Sequence, residues 1–285
     1  MFKREWSQSA AALELARAAL IFCLWTMKKE YEAQYHLLEE NHWWFLGRRH
    51  LVRQLILKSN PNPNCRILEI GCSGGPLIQY LHRDGYTCVT GIDISSEAIA
   101  LSHQRGLKDV HVMDAQKLSF SEESFDLIIA SDVLEHVEHA PRALSEWYRV
   151  LRPGGTLIIF VPAFMFLWTK HDEVNRHFRR YRKAELDRLL TGNGFVVKRT
   201  SYWNCFLFFP VSVVRLIKKL MPVSRKTASH GDLSEPPTFL NRFLFALLRF
   251  ENRRIGSGIN WPCGVSVMAI AEKPKASRGK PGGTE

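Results

Sequence analysis

Three stretches of this 285-residue chain concentrate side chains able to do chemistry. In Arg66-Ile67-Leu68-Glu69-Ile70-Gly71-Cys72-Ser73-Gly74-Gly75-Pro76-Leu77, an apolar run enters a glycine-rich turn. Glycines let a ligand approach the backbone closely, and Pro76 fits the first turn of a following helix, where its missing N–H costs nothing. Glu69 places a carboxylate before the turn, and Asp93, 18 residues beyond Gly75, ends the next apolar run. An acid at that place typically holds ribose hydroxyls. The second stretch, Ser131-Asp132-Val133-Leu134-Glu135-His136, pairs carboxylates with an imidazole that ordinarily titrates near neutral pH. The third, Trp168 to Tyr181, holds His171, Asp172, His177, Arg179 and Arg180, an unusual density for a connecting loop.

The elements that must position these residues follow from periodicity. Short apolar runs at Arg66–Ile70, Thr87–Ile92, Val110–Met113, Phe125–Ala130 and Thr156–Val161 read as strands. Leu77–Arg83, Glu97–Gln104, Pro141–Val150 and Lys183–Leu190 read as helices between or after them. Strands separated by helix-length segments predict βαβ units and a parallel sheet. Gly194–Ser201 and Gly264–Ala271 add two late strands with about 60 residues between them. Upstream, Tyr31–Lys58 reads as helical and aromatic and contains His42-Trp43-Trp44-Phe45-Leu46-Gly47-Arg48-Arg49. Those aromatics are expected to wall a pocket or to pack the helix on the core.

The loop lacks the G-x-G-x-x-G of a dinucleotide site and the G-K-[ST] of a P-loop. Glu69 would repel a pyrophosphate but suits a cationic ligand with an amino group, such as S-adenosyl-L-methionine. Here the chain resembles the class I S-adenosylmethionine-dependent methyltransferases of the type 11 kind over residues 60–165. Glu69 to Gly75 is similar to that family's first motif and Gly91-Ile92-Asp93-Ile94-Ser95 to its second. Met113-Asp114-Ala115 resembles the adenine-contacting step, Phe125 to Val137 the fourth motif, and Leu151-Arg152-Pro153-Gly154-Gly155-Thr156-Leu157 the turn into the fifth strand. The resemblance implies an α/β, Rossmann-like sheet of seven strands, mostly parallel, with a helical insertion between the last two. It implies cofactor contacts at Glu69, Gly71, Cys72, Ser73, Gly75, Asp93, Ile94, Asp114, Ala115, Ser131 and Asp132. Ser73 departs from the pattern, since it stands where the motif often has its middle glycine.

Methyl transfer from a sulfonium is an in-line displacement, helped by a base when the acceptor is a hydroxyl. The acceptor belongs beyond the carboxyl ends of the strands. His136 is the first expectation for the base, against a packing or capping role, with His171 or His177 as alternatives on an acceptor-binding lid. The lid arginines suit phosphate or carboxylate. A solvated, salt-bridged loop is the plainer reading of that stretch. A metal held by His171, Asp172 and His177 is the weaker reading, and no metal is expected.

The composition, 46% hydrophobic and 24% charged, fits a globular protein and excludes disordered, collagen-like and coiled-coil chains. Six scattered cysteines without a C-x-x-C pair read as reduced thiols of a cytoplasmic protein. The longest relevant uncharged run, between Arg199 and Arg215, is too short to span a bilayer. Of the net charge of +11, Val196–Arg254 carries +8. Val211–Met221 sets Ser212, Arg215 and Lys219 on one face, and Phe239–Phe250 leads a stripe of Arg242, Arg249 and Arg253. Apolar helices with a basic face predict contact with an anionic membrane surface, against a lid packed on the core, and disfavour nucleic acid. The organisation expected is an N-terminal extension or helix at 1–30 and a methyltransferase domain at 31–202 and 262–273. A basic, apolar helical insertion occupies 203–261, with a disordered tail at 274–285. Met27-Lys28-Lys29-Glu30 resembles a natural start, which would make 1–26 an upstream extension. The function expected is methyl transfer, O-methylation favoured, to a hydrophobic or lipid-linked acceptor at the cytoplasmic membrane face. The alternatives are a soluble small-molecule acceptor and a non-catalytic cofactor-binding scaffold.

Overall fold

The computed structural model describes residues 29–59, 62–220 and 236–275, so the expectations for residues 1–28 and 276–285, and for Arg225, Lys226, Asp232 and Glu235, lie outside the described residues. Seven strands form one sheet in the order β3-β2-β1-β4-β5-β7-β6. They are β1 (Ile67–Ile70), β2 (Val89–Asp93), β3 (Val110–Val112), β4 (Phe125–Ser131), β5 (Leu151–Pro162), β6 (Val196–Trp203) and β7 (Ser266–Glu272). The first five pair in parallel, while β7 runs antiparallel between β5 and β6. The chain reverses its strand order between β1 and β4, and open α/β sheets bind ligands at such a switch point.

Among the described residues nine α-helices flank these strands: α1 (Lys29–Asn41), α2 (Trp43–Ser59), α3 (Pro76–Arg83), α4 (Ser96–Gln104), α5 (Ala140–Val150), α6 (Lys170–Val174), α7 (Lys183–Gly192), α8 (Phe208–Leu220) and α9 (Thr238–Gly256). Strand alternation splits the core into two layers. Leu68, Ile70, Ile128 and Ala130 pack with Leu144 and Trp147 of α5 on one face. Ile67, Leu127, Ile129 and Ile158 pack with Leu51 and Leu55 of α2 on the other. Near-continuous burial of these strands is what a sheet covered on both faces requires.

The helical stretch expected over Tyr31–Lys58 is broken at His42. The joint is held by Asn241 of α9, whose Oδ1 accepts from Trp43 N at 2.8 Å and whose Nδ2 donates to Asn41 O at 2.9 Å. A partner 200 positions away leaves no local trace in the sequence. The inserted segment is anchored in the same core. Leu248 and Ile255 of α9 are fully buried, and a Cβ on Gly47 would meet Leu248 Cδ1 at 2.4 Å. Asn252 bridges the contact, donating to Gly47 O at 2.8 Å and accepting from Trp203 Nε1 at 2.8 Å.

Of the stripe expected on α8, Ser212 and Arg215 turn inward, while the Lys219 side chain lies outside the described residues. Ser212 is buried and donates to Phe208 O, and Arg215 Nη1 donates inward to Leu167 O. Among the described residues, the side turned to solvent carries Phe209, 67% exposed, Val213, 54%, and Ile217, 48%. Arg215 turns inward because buried carbonyl and cavity surface lie beneath the helix, and this leaves the aliphatic residues outside. Among the described residues no helix is long and apolar enough to cross a membrane.

Candidate functional site

Two chambers lie side by side beyond the carboxyl ends of the parallel strands. The first, about 210 Å³, is lined by Gly71, Ser73, Asp93, Ile94, Asp114, Ala115, Ser131 and Asp132, with Tyr35 and His36 of α1 above it. Eight of the eleven expected cofactor residues therefore share one cavity. Glu69 and Cys72 face a smaller annex of about 80 Å³, together with Ser73, Asp132, Arg48 and Arg49. Gly75 sits behind the loop instead, where a Cβ would meet Leu107 Cδ1 at 2.2 Å. Its role is close packing against Ser102 of α4 and Leu107 in the loop before β3.

The glycine loop is shaped by Asp93, whose Oδ2 accepts from Ser73 N and Oδ1 from Ser95 N, both at 2.9 Å. Ser73 adopts a left-handed φ of 50°, the conformation that explains why a glycine is usual there. Its hydroxyl gives the substitution a purpose, donating to Glu39 Oε2 of α1 at 2.7 Å. Glu39 also pairs with Arg105 at 3.0 Å, and Arg105 donates to Gly74 O at 2.7 Å. The N-terminal helix is thus tied onto the loop. Glu69 is buried, and its Oε2 has no hydrogen-bond partner among the described residues. Burial first, then the neighbouring Glu39, pushes its carboxyl well above the ordinary range. An unsatisfied buried carboxylate is costly, and a ligand ammonium would satisfy it.

The second chamber, about 370 Å³, shares Tyr35, Asp132, His136 and Asn175 with the first. Trp43, Trp44 and Phe45 form one wall, and Glu135, His171, His177, Arg180 and Asn204 bring polar groups. Val211 and Arg215 of α8 also line it. The three expected histidines meet here. The His136 and His177 rings lie 4.5 Å apart, edge to face, and His171 and His177 6.4 Å apart. Burial, reinforced by His177, presses the His136 imidazole down to about 3, so it is neutral. His177 Nδ1 donates to Asp172 Oδ1 at 2.9 Å, leaving Nε2 with its lone pair. Asp172 is, in the weaker metal reading, a ligand beside His171 and His177. It is fully buried behind them, held by Arg180 Nε at 2.7 Å and by the Thr169 amide at 2.8 Å. Burial alone would raise the Asp172 carboxyl, but the His177 hydrogen bond and the Arg180 charge outweigh it and hold it well below the ordinary range.

Sequence reasoning did not single out several residues of the site. Arg48 is buried with its guanidinium over the rings of Phe160 at 4.2 Å and Trp203 at 4.3 Å. Its Nη1 donates to Ser131 Oγ and pairs with Asp132 Oδ2, both at 3.0 Å. Burial lowers its pKa, partly offset by Asp132. This arginine fixes the β4 terminus, where Asp132 holds a left-handed φ of 57°. The signal available was spacing, since Trp44 and Arg48 lie four apart on one helical face. Asn204 carried no such signal, whereas Glu135 stood among the sequence candidates beside His136. Both are about 1% exposed, and Asn204 Oδ1, Asn204 Nδ2 and Glu135 Oε2 have no hydrogen-bond partner among the described residues.

A parallel sheet with this order, a glycine loop under an acid-tipped second strand, and a cavity at the switch point define a class. Residues 68–159 match the family model described as a methyltransferase domain. Over those residues the chain is thus similar to a methyltransferase domain. A phosphatidylethanolamine N-methyltransferase of Cereibacter sphaeroides is 38% identical over 102 residues, 33% of this chain and 49% of that protein. A ubiquinone biosynthesis O-methyltransferase of Rhizobium leguminosarum bv. trifolii (strain WSM2304) is 27% identical over 195 residues, 59% of this chain and 77% of that protein. The chain thus spans about half the length of the first relative. Among solved structures, Haemonchus contortus phosphoethanolamine N-methyltransferase 2 in complex with S-adenosyl-L-methionine shares the fold. Its TM-score is 0.51 at 17% identity, covering 79% of this chain and 53% of that one.

Proposed function

We propose that this protein transfers the methyl group of S-adenosyl-L-methionine to a hydroxyl of a hydrophobic or lipid-linked acceptor drawn from an anionic membrane surface. The observation that carries this reading is the inverted helix α8. Val211 and Arg215 line the second chamber, while Phe209, Val213 and Ile217 face outward with nothing packed over them among the described residues. Phe239 and Phe243 of α9 add to the exposed apolar surface. Contiguous apolar surface of this kind marks an interaction site. A lipid surface beside a chamber with an aromatic wall would deliver an apolar acceptor without taking it through water. The names of two relatives, one for phosphatidylethanolamine and one for ubiquinone biosynthesis, support a lipid-related acceptor.

In this reading Asp93 holds the ribose, Asp114 and Ala115 border the adenine, and Glu69 faces the cofactor ammonium. Asp132 and His136, which line both chambers, would border the methyl group. Asn204 and Glu135 offer unsatisfied polar groups to the acceptor head. The proton leaves to the histidine wall, through His177 backed by Asp172 or through His171, because a neutral His136 that protonates only near pH 3 is a poor base.

One observation favours a second reading. Helix α9 is firmly packed on α2 through Leu248 and Gly47, as a lid over a soluble acceptor would be. Sedimentation with anionic phosphatidylglycerol vesicles separates the two. The membrane reading predicts binding at low salt that weakens as salt rises. The triple variant Phe209→Ser, Val213→Ser, Ile217→Ser should lose it while S-adenosylmethionine affinity holds. A wild-type protein that stays in the supernatant at low salt makes the insertion a lid.

A further inference from the structure

Glu135, His136 and His177 each bring a ligand atom to one place, all within 4.8 Å of one another. We infer that these three side chains bind a single divalent first-row transition-metal cation at the junction of the two chambers. Four observations carry this. Glu135 is 1% exposed, and its Oε2 has no hydrogen-bond partner among the described residues, although a buried carboxylate oxygen ordinarily acquires one. His177 spends Nδ1 on Asp172, so Nε2 is left as an acceptor. A His136 ring N–H donates to the Asn175 backbone carbonyl, which likewise leaves its other nitrogen with a lone pair. Carboxylate or carbonyl partners behind both imidazoles are the arrangement that orients metal-bound histidines.

Two imidazoles and one carboxylate favour a transition metal over magnesium or calcium, which prefer oxygen alone. Three protein ligands also leave a coordination position open, as catalytic sites do. All three side chains line the second chamber, where the acceptor would sit. Binding itself is independent of the methyl-transfer reading; the role that follows rests on it. The cation takes the acceptor hydroxyl oxygen and acidifies it, and the proton passes to His171, since His177 is then a ligand. The oxygen's electron pair forms the O–CH3 bond, the S–CH3 bond breaks, and its electrons neutralise the sulfonium.

The test is anaerobic titration of Co2+ into the full chain after stripping with a chelator, followed by calorimetry and visible absorption. Co2+ is chosen because Cys205 and Cys263, with sulfurs 3.6 Å apart, could compete for a metal, and thiolate ligation would show as a near-ultraviolet charge-transfer band. The expected result is one Co2+ per chain, d–d absorption without that band, and affinity at least about tenfold weaker in Glu135→Gln and in His177→Gln. Near-ultraviolet circular dichroism checks both folds, and either folded variant suffices. No Co2+ binding, thiolate absorption, or wild-type affinity in a folded variant overturns the inference. S-Adenosylmethionine titrated into the same stripped protein tests the first chamber separately, so loss of the metal site leaves the cofactor reading standing.

Discussion

Replacing Asp172 with asparagine should cost the protein much of its stability, and the size follows from the geometry. The carboxylate is fully buried and accepts from Arg180 Nε and Nη2 at 2.7 and 3.1 Å, from His177 Nδ1 at 2.9 Å and from the Thr169 amide at 2.8 Å. Asparagine keeps the shape but turns an N–H2 toward donors and leaves the buried Arg180 charge unpaired. Removing one partner of a buried ion pair costs about 3–5 kcal/mol. At about 2–4 °C per kcal/mol for a domain of this size, the melting midpoint should fall on the order of 10 °C. The pH dependence has a definite sign. The Asp172 pKa is depressed when folded, so its stabilisation is present above the ordinary carboxylate value of 3.8 and is lost as pH falls below it. Thermal unfolding of wild type and Asp172→Asn followed by circular dichroism at neutral pH and near pH 3 reads both effects. A midpoint shift under about 2 °C at neutral pH, or a gap that widens in acid, would refute the reasoning.

Three further outcomes are expected. S-Adenosylmethionine should bind more tightly as pH rises, because its ammonium favours the ionised Glu69 that burial disfavours in the free protein. Calorimetry in buffers of different ionisation enthalpy should show proton release, absent in Glu69→Gln. Gly47→Ala should destabilise by about 1–3 kcal/mol in a denaturant melt, because its Cβ intrudes on Leu248. Arg48→Lys should weaken cofactor binding measurably, since a point charge cannot bond Ser131, Asp132 and Ser266 together while stacking on Phe160 and Trp203.

The strands and the glycine loop were legible because their causes are local. Apolar runs of strand length, a glycine turn and Pro76 at a helix start need no distant partner to be recognised. Even there the boundaries moved: β5 begins at Leu151 rather than Thr156, since Leu151 pairs with Phe125 and Gly154 takes a φ of 77° to keep the strand in the sheet. The histidines of the second chamber were legible as types, but their division of labour was not. Asp172 reads as an exposed loop acid until Arg180 and His177 close around it. Arg48 reads only as one residue of the aromatic helix until Phe160 and Trp203, more than 100 positions away, take its guanidinium between them. The inward turn of Arg215 likewise depends on a carbonyl at Leu167 that no periodicity reports.

The central claim is that the cavity beyond β1, β2 and β4 is an S-adenosylmethionine site opening on an acceptor chamber. Calorimetric titration of S-adenosylmethionine into the full chain, its Asp93→Ala variant and its Asn204→Ala variant tests it most directly. The account predicts one-to-one binding, weakened by about 1–3 kcal/mol in Asp93→Ala through lost hydrogen bonds and unchanged in Asn204→Ala, which alters only the neighbouring chamber. Absence of binding by the wild type, or equal affinity in a folded Asp93→Ala, would contradict it.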